Sequence, residues 1–330
     1  MRWGLPLAAA LATAPALAVS IDWVRVGMAG NAADERTGFG AVDYAYRIGK
    51  YEVTNAQYTE FLNAVAVADP NGLYNTRMAS GLGGIARSGG AGSYSYDTIA
   101  GREQMPVVFV SFYDALRFAN WMHNGQLAGV QDATTTEDGA YTITSQGIAD
   151  NSIQRNTGAT IFLTSEDEWY KAAYHDAVGL EASSYFDYPV GTDTQTTCSV
   201  PTAEANHANC NNQVLELTDV GSYTGSPSPW GTFDQGGNVR EWNEAVIEEI
   251  ARGFRSGSWI DGRTSLAVTS RRFGDPQIED DNAKGFRLAS IPEPGTGLLV
   301  ALGMVGLSRV RHRGEKRRQA VSERPIETTE

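Results

Sequence analysis

The chain is poor in the side chains that carry most metal and nucleophilic chemistry. It has two cysteines, Cys198 and Cys210, and four histidines, His123, His175, His207 and His312. Residues 211–330 contain no cysteine. No H-x-x-x-H or H-E-x-x-H spacing occurs, so helix-borne zinc chemistry is not expected. Two cysteines with His207 nearby do not complete a set of four zinc ligands. The glycine-rich stretches, Gly81-Leu82-Gly83-Gly84 and Gly89-Gly90, do not fall between a strand and a helix pattern, and no Lys-Ser/Thr follows them. A phosphate cradle is therefore excluded. No Ser-His-Asp order or carboxylate pair can be nominated for catalysis. Between residues 21 and 290 there is no run apolar enough to span a bilayer, no internal repeat and no coiled coil.

What is present at the two ends reads as address rather than fold. Arg2 precedes an apolar run from Leu5 to Val19 that closes on Ala16-Leu17-Ala18. A positive start, an apolar middle and an A-x-A site make a secretory signal peptide, residues 1–20, cut after Ala18 or a residue or two later. At the other end, Pro292-Glu293-Pro294 leads into an apolar run from Gly295 to Leu307, then Arg309, Arg311, Arg313, Lys316, Arg317 and Arg318. A spanning helix needs roughly 20 residues, more than this run supplies. The layout over 291–318 resembles the PEP-CTERM sorting signal of Gram-negative bacteria, with a polar tail at 319–330. The resemblance implies an exosortase-type processing enzyme as a partner. A short anchor with a positive-inside flank is the alternative. Both place the folded part outside the cytoplasm, at the cell surface, outer envelope or beyond.

Net charge sharpens once these ends are set aside. The full chain has 26 basic and 39 acidic residues, net −13. Residues 1–20 hold one basic residue, and 291–330 hold seven basic and five acidic, which leaves 18 basic and 34 acidic residues, net −16. Such a surface repels nucleic acid and anionic lipid. It suits an extracellular protein, whether for solubility alone or for attracting divalent cations. In that compartment the even cysteine count favours a Cys198–Cys210 disulfide.

About 270 residues remain, enough for one large domain, 21–290. Three amphipathic helices are legible. Thr54 caps the first, with Gln57 at the box position and Tyr58, Phe61, Leu62 and Val65 as its buried stripe. Ser111 and Asp114 start the second, which buries Ala115, Phe118, Ala119 and Met122. Ser165 and Glu168 start the third, which buries Trp169, Ala172 and Ala173. Strands are expected at 46–53, 107–110 and 160–163. Residues 70–104 and 125–159 read as long irregular stretches. His123 and His175 each follow a helix pattern, where a cation is favourable.

Five segments then occur in order. They are Tyr46-Arg47-Ile48-Gly49-Lys50-Tyr51-Glu52-Val53-Thr54-Asn55, Met105-Pro106-Val107-Val108-Phe109-Val110-Ser111, Phe162-Leu163-Thr164-Ser165-Glu166-Asp167-Glu168-Trp169, Asp234-Gln235-Gly236-Gly237-Asn238-Val239-Arg240-Glu241-Trp242, and Arg255-Ser256-Gly257-Ser258-Trp259 with Arg271-Arg272 and Gly285-Phe286-Arg287. The series resembles the formylglycine-generating enzyme, or sulfatase-modifying factor, family over residues 22–289. The resemblance implies a single α+β domain with little regular structure, long loops and a relation to C-type lectins. It makes Trp242 and Trp259 core residues. It also sets Arg272 and Arg287 in the interior against carbonyls or carboxylates, as a buried guanidinium requires.

The same resemblance sets expectations for chemistry. Active family members use a C-terminal cysteine pair to bind copper, since soft thiolates hold Cu(I). Counting back from Gly285-Phe286-Arg287 puts those positions near Thr264 and Thr269, and counting forward from Ser258-Trp259 puts them near Leu266 and Arg271. None is a cysteine, so no catalytic residue is assigned and no copper is expected. The iron-dependent branch uses histidines that this chain lacks, so no iron is expected. The family's calcium site maps onto Asp234, Gly237, Val239 and Glu241, an oxygen set of the kind calcium prefers. Arg240 would partly counter the charge of Asp234. A second calcium site finds no matching Asp after Asn209-Cys210. The expected function is a ligand-binding module for a glycan or matrix protein. The alternatives are a superfamily enzyme with non-copper chemistry and a structural envelope component.

Overall fold

Each of the three longest helices begins at a hydroxyl cap. The computed structural model describes residues 18–179, 184–278 and 281–291. The signal peptide up to Leu17 and the sorting signal with Pro292, Glu293 and Pro294 lie outside the described residues. Strands β1 (Trp23–Val26) and β2 (Tyr46–Gly49) precede α1 (Asn55–Val65). There Thr54 Oγ1 accepts the Gln57 N–H, and Gln57 Oε1 accepts the Thr54 N–H. The hairpin β3 (Ile85–Ser88) and β4 (Ser95–Thr98) follows. Next comes α2 (Phe112–His123), boxed by Ser111 and Asp114. A short α3 (Ser145–Ala149) and β5 (Ile161–Leu163) lead to α4 (Glu166–Tyr174), boxed by Ser165 and Glu168.

The second half is mostly strand and loop: β6 (Thr197–Cys198), β7 (His207–Ala208), β8 (Arg240–Ile247), β9 (Ala251–Arg255), β10 (Arg272–Gly274), β11 (Lys284–Gly285) and β12 (Leu288–Ser290). One antiparallel sheet has the order β1-β2-β12-β5, so the last strand of the domain inserts between two early ones. The other has the order β10-β9-β8-β11, with β11 parallel to β8. Between the helices lies an aromatic core. Tyr58 and Phe61 of α1 meet Phe118 and Trp121 of α2 and then Phe286, with ring centroids 5.3–5.9 Å apart. Edge and offset contacts of this kind add to the area they bury.

The structure departs from the expected elements in three places. Residues 107–110 do not form a strand, because Phe109 takes φ 62° and turns the chain out of the extended region. The stretch 70–104 contains the β3–β4 hairpin, whose turn uses Gly89 and Gly92 at φ 82° and 86°. The stretch 125–159 contains α3.

Cys198 and Cys210 form a disulfide with Cα atoms 4.9 Å apart and a sequence separation of 12, and β6, which ends at Cys198, pairs in parallel with β7 just before Cys210. Closing a loop of this length removes denatured-state entropy worth about 2–3 kcal/mol. Replacing both cysteines with serine should therefore lower the free energy of unfolding by about that amount in a urea titration. An unchanged midpoint would contradict this account.

Candidate functional site

The fourth sequence segment folds around a buried arginine. Asp234 and Asn238 sit at φ 59° and 54°, so the Gly236-Gly237 turn is tight, and a Cβ on Gly237 would lie 2.4 Å from the Asn209 carbonyl oxygen. Beyond it, β8 delivers Glu241 and Trp242 into the interior, both fully buried. Arg287, also fully buried, donates from Nε and Nη2 to the two oxygens of Glu241, while Trp169 Nε1–H donates to Glu241 Oε2 at 2.7 Å. Arg287 also donates to the carbonyls of Gly49 at 3.0 Å and Phe233 at 2.9 Å. This is the interior role expected of Arg287.

Two further carboxylates share this pocket of charge. Asp234 Oδ2 accepts the Gly221 N–H at 2.6 Å. Glu52 Oε2 lies 3.8 Å from Arg287 and accepts no hydrogen bond. Burial pushes the Asp234 carboxyl up to about 6, and the neighbouring Glu241 adds to the shift. Burial, with Asp234 beside it, holds Glu52 well above the usual carboxylate range. Three carboxyls thus face one guanidinium. Either protons or a cation must offset the surplus.

For the calcium expectation the fit is poor. Both oxygens of Glu241 accept from Arg287, so a divalent ion there would compete with a fixed cation. Among the described residues no group of three or more His, Cys, Asp or Glu is placed to hold a metal. An ion held by Asp234, Gly237, Val239 and Glu241 would thus have to share Glu241 with Arg287, and protons on Asp234 and Glu52 are the competing way to offset the charge.

The fifth segment also differs from its expectation. Thr264 and Thr269 are exposed, the first on a 3-10 turn over Arg263–Leu266. Leu266 and Val268 are buried, Leu266 against Ala208 and Cys210. Arg271 donates twice to Glu166, at 2.8 Å each, and Arg255 binds the same carboxylate from the inside.

Beside it, Asp261 gathers a lattice. It accepts from Arg240 Nε at 2.8 Å and Nη2 at 3.0 Å, from Arg272 Nη1 at 3.0 Å, and from the Ser258 N–H and hydroxyl. Despite its burial, the bonds from Arg240 and Ser258 hold the Asp261 carboxyl below its usual range. It is an ionised structural anion, unsuited to act as a base near neutrality. Arg240 reaches on to Asp281 at 3.1 Å. Arg240 therefore neutralises Asp261 and Asp281, not Asp234 as expected. Arg272 departs from its expectation too: its side chain is 39% exposed, and it lies on the rim rather than in the interior.

The described histidines are structural. His123 ends α2, and its Nδ1 lies 3.2 Å from the Thr160 N and 2.9 Å from the Thr160 hydroxyl. His175 is fully buried, stacked on Trp230 with centroids 5.9 Å apart. His207 Nε2 lies 3.4 Å from Glu204.

The model of the sulfatase-modifying factor enzyme 1-like domain matches residues 29–291. The chain belongs to this family. A second match, the PEP-CTERM protein-sorting motif at residues 290–313, marks the sulfatase-modifying-factor chain for export to the cell envelope and for exosortase processing. Among solved structures, CarF is 22% identical with a TM-score of 0.52, covering 83% of this chain and 99% of its own. Treponema denticola variable protein 1 is 21% identical with a TM-score of 0.51, covering 83% of this chain and 96% of its own. At these identities the likeness is one of fold: a mixed α+β domain with few helices and long loops, related to C-type lectins. No curated protein matches the chain.

Two groups that matter in this sulfatase-modifying-factor domain escaped the sequence reading. Glu52 lies inside the first segment but carried no assigned role. An acidic residue between an aromatic and a β-branched residue was the available signal. Asp261 follows Ser258 at a spacing that lets one carboxylate cap the turn, a pattern easily lost in a loop.

Proposed function

We propose that the exported domain is a non-catalytic module that binds a glycan or a matrix protein at the cell surface or in the extracellular matrix. One observation carries this reading. Where active relatives would hold a thiolate pair, this chain has exposed threonines and buried Leu266 and Val268, with Arg271, Arg272 and Arg240 already neutralised by carboxylates. The remaining cysteines are joined to each other. Loops on a rigid scaffold supply a binding surface without chemistry of their own.

The test is retention of the exported chain on immobilised glycans and matrix extract, with and without EDTA. Retention that survives EDTA is expected if protons, not calcium, offset the Asp234–Glu241 charge. Conversion of a cysteine-containing sulfatase peptide, with oxygen consumed, would overturn the proposal.

Export also has a structural signature. Val19 is buried, its N–H donates to Gln126 Oε1 at 2.6 Å, and its carbonyl accepts from Gln126 Nε2 at 2.8 Å. Gln57 Nε2 holds the Ser20 carbonyl at 2.9 Å. The chain is thus held in place from Val19, the residue after the A-x-A site. Mass spectrometry of the exported protein should find Val19 as its first residue. A start at Asp22 or later would contradict signal cleavage after Ala18.

A further inference from the structure

An open cleft of about 550 Å³ lies beside α1, away from Thr264 and Asp261 in the sequence, and shares only Glu52 with the Arg287 cluster. Its size falls within the range of small-ligand sites, about 300–1,000 Å³. One wall is the start of the ordered chain, Ser20 to Asp22. Gln57 fixes that wall at the Ser20 carbonyl, and the Lys50 N–H fixes it at the Asp22 carbonyl at 2.7 Å. The facing wall is Gln104 with Asp219 and Val220, tied by the Val220 N–H to the Gln104 carbonyl at 2.9 Å. Tyr51 lines the cleft between them. Its ring lies against Gly221, where a Cβ would come within 2.5 Å of Tyr51 Cε1, and Gly221 is itself held by Asp234.

The chemistry of this lining is one-sided. Its ionisable side chains are Asp22, Asp219 and Glu52, the last held towards its neutral form by burial, with no Lys or Arg among them. The Asp22 and Asp219 carboxylates and the Gln104 amide have no hydrogen bond from other described residues, so they are free to meet a ligand. An anionic ligand would be repelled. The acceptors come from separate segments and do not converge as a metal cluster. Dispersed carboxylate acceptors, an amide that both donates and accepts, and an aromatic ring match a ligand with several hydroxyl donors and an apolar ring face.

We propose that this cleft is the glycan site and takes a neutral, hydroxyl-rich saccharide, a proposal that rests on the binding-module reading above. The probes are immobilised dextran and cello-oligosaccharide as neutral glycans, alginate as the anionic one and chitosan as the cationic one. The exported chain is expected to be retained on a neutral surface and not on alginate. Hydrogen bonds to a charged group are the stronger kind, so Asp219→Ala should weaken neutral retention about tenfold. Gln104→Ala, on the other segment, should weaken it less, and neither should shift the melting temperature, because neither side chain has an internal partner. Undiminished neutral retention in the double variant would overturn the cleft while leaving the binding-module reading intact. Retention only on chitosan or alginate would overturn the ligand class. No retention on any surface, matrix extract included, would sink both the cleft and the module.

Discussion

Replacing Arg287 with methionine should destabilise the domain by about 4 kcal/mol, since breaking a buried pair costs roughly 3–5 kcal/mol. Arg287 joins β12 to β8 and to the Gly49 and Phe233 carbonyls, and it is fully buried. Removing the guanidinium leaves Glu241 with only the Trp169 bond and leaves Glu52 and Asp234 without a nearby cation. It also leaves two buried carbonyls to find other partners. Methionine fills much of the volume, so the loss reports charge more than cavity. Urea unfolding measures it. Should the variant be too unstable to purify, Arg287→Met with Glu241→Leu provides the second reading. Removing both members of a buried pair costs less than removing one, so the double variant should recover stability. A single-variant loss below about 1 kcal/mol would show that the cluster is not held by this arginine.

The sequence made the helices easy to read because their determinants are local. Thr54–Gln57, Ser111–Asp114 and Ser165–Glu168 each form a capping box, within four residues of chain. The stripe Tyr58, Phe61, Leu62 and Val65 is buried as its spacing requires. Other features depend on partners far away in the chain and had no local signal. Phe109 turns at positive φ with its N–H bonded to the Asp281 carbonyl, 172 positions later. The β12 strand pairs with β2, more than 230 positions earlier. The order of motifs located the site segments but not their charge pairing. Arg240 was expected to meet Asp234, its neighbour in sequence. It binds Asp261 and Asp281 instead, because β8 points it away from the Arg287 cluster. Arg272 was expected in the interior, but β10 is an edge strand and leaves it on the rim.

The charge state of that cluster gives the sharpest test between protons and a cation. The Asp234 carboxyl is pushed up to about 6 in the folded domain, from the ordinary 3.8. Below about pH 4 both states are protonated. Between about 4 and 6 the folded state holds the proton that the unfolded chain has lost, so wild-type stability falls as pH rises through this window and levels off above it. A rise of that size corresponds to on the order of 3 kcal/mol. Asn keeps the acceptor for the Gly221 N–H and tolerates the positive φ, but never ionises. Asp234→Asn should therefore stabilise the domain at pH 8 by up to about that amount and leave it nearly unchanged at pH 4. Glu52→Gln should act in the same direction, because burial and Asp234 raise the Glu52 carboxyl as well. A bound calcium ion reverses the sign. Asp234 would then be a ligand, the Asn variant would melt lower at pH 8, and added calcium would raise the melting temperature of the wild type alone. Melting curves at pH 4 and pH 8, with calcium and with EDTA, separate the two, and a lower-melting variant with a calcium response in the wild type would overturn the proton account.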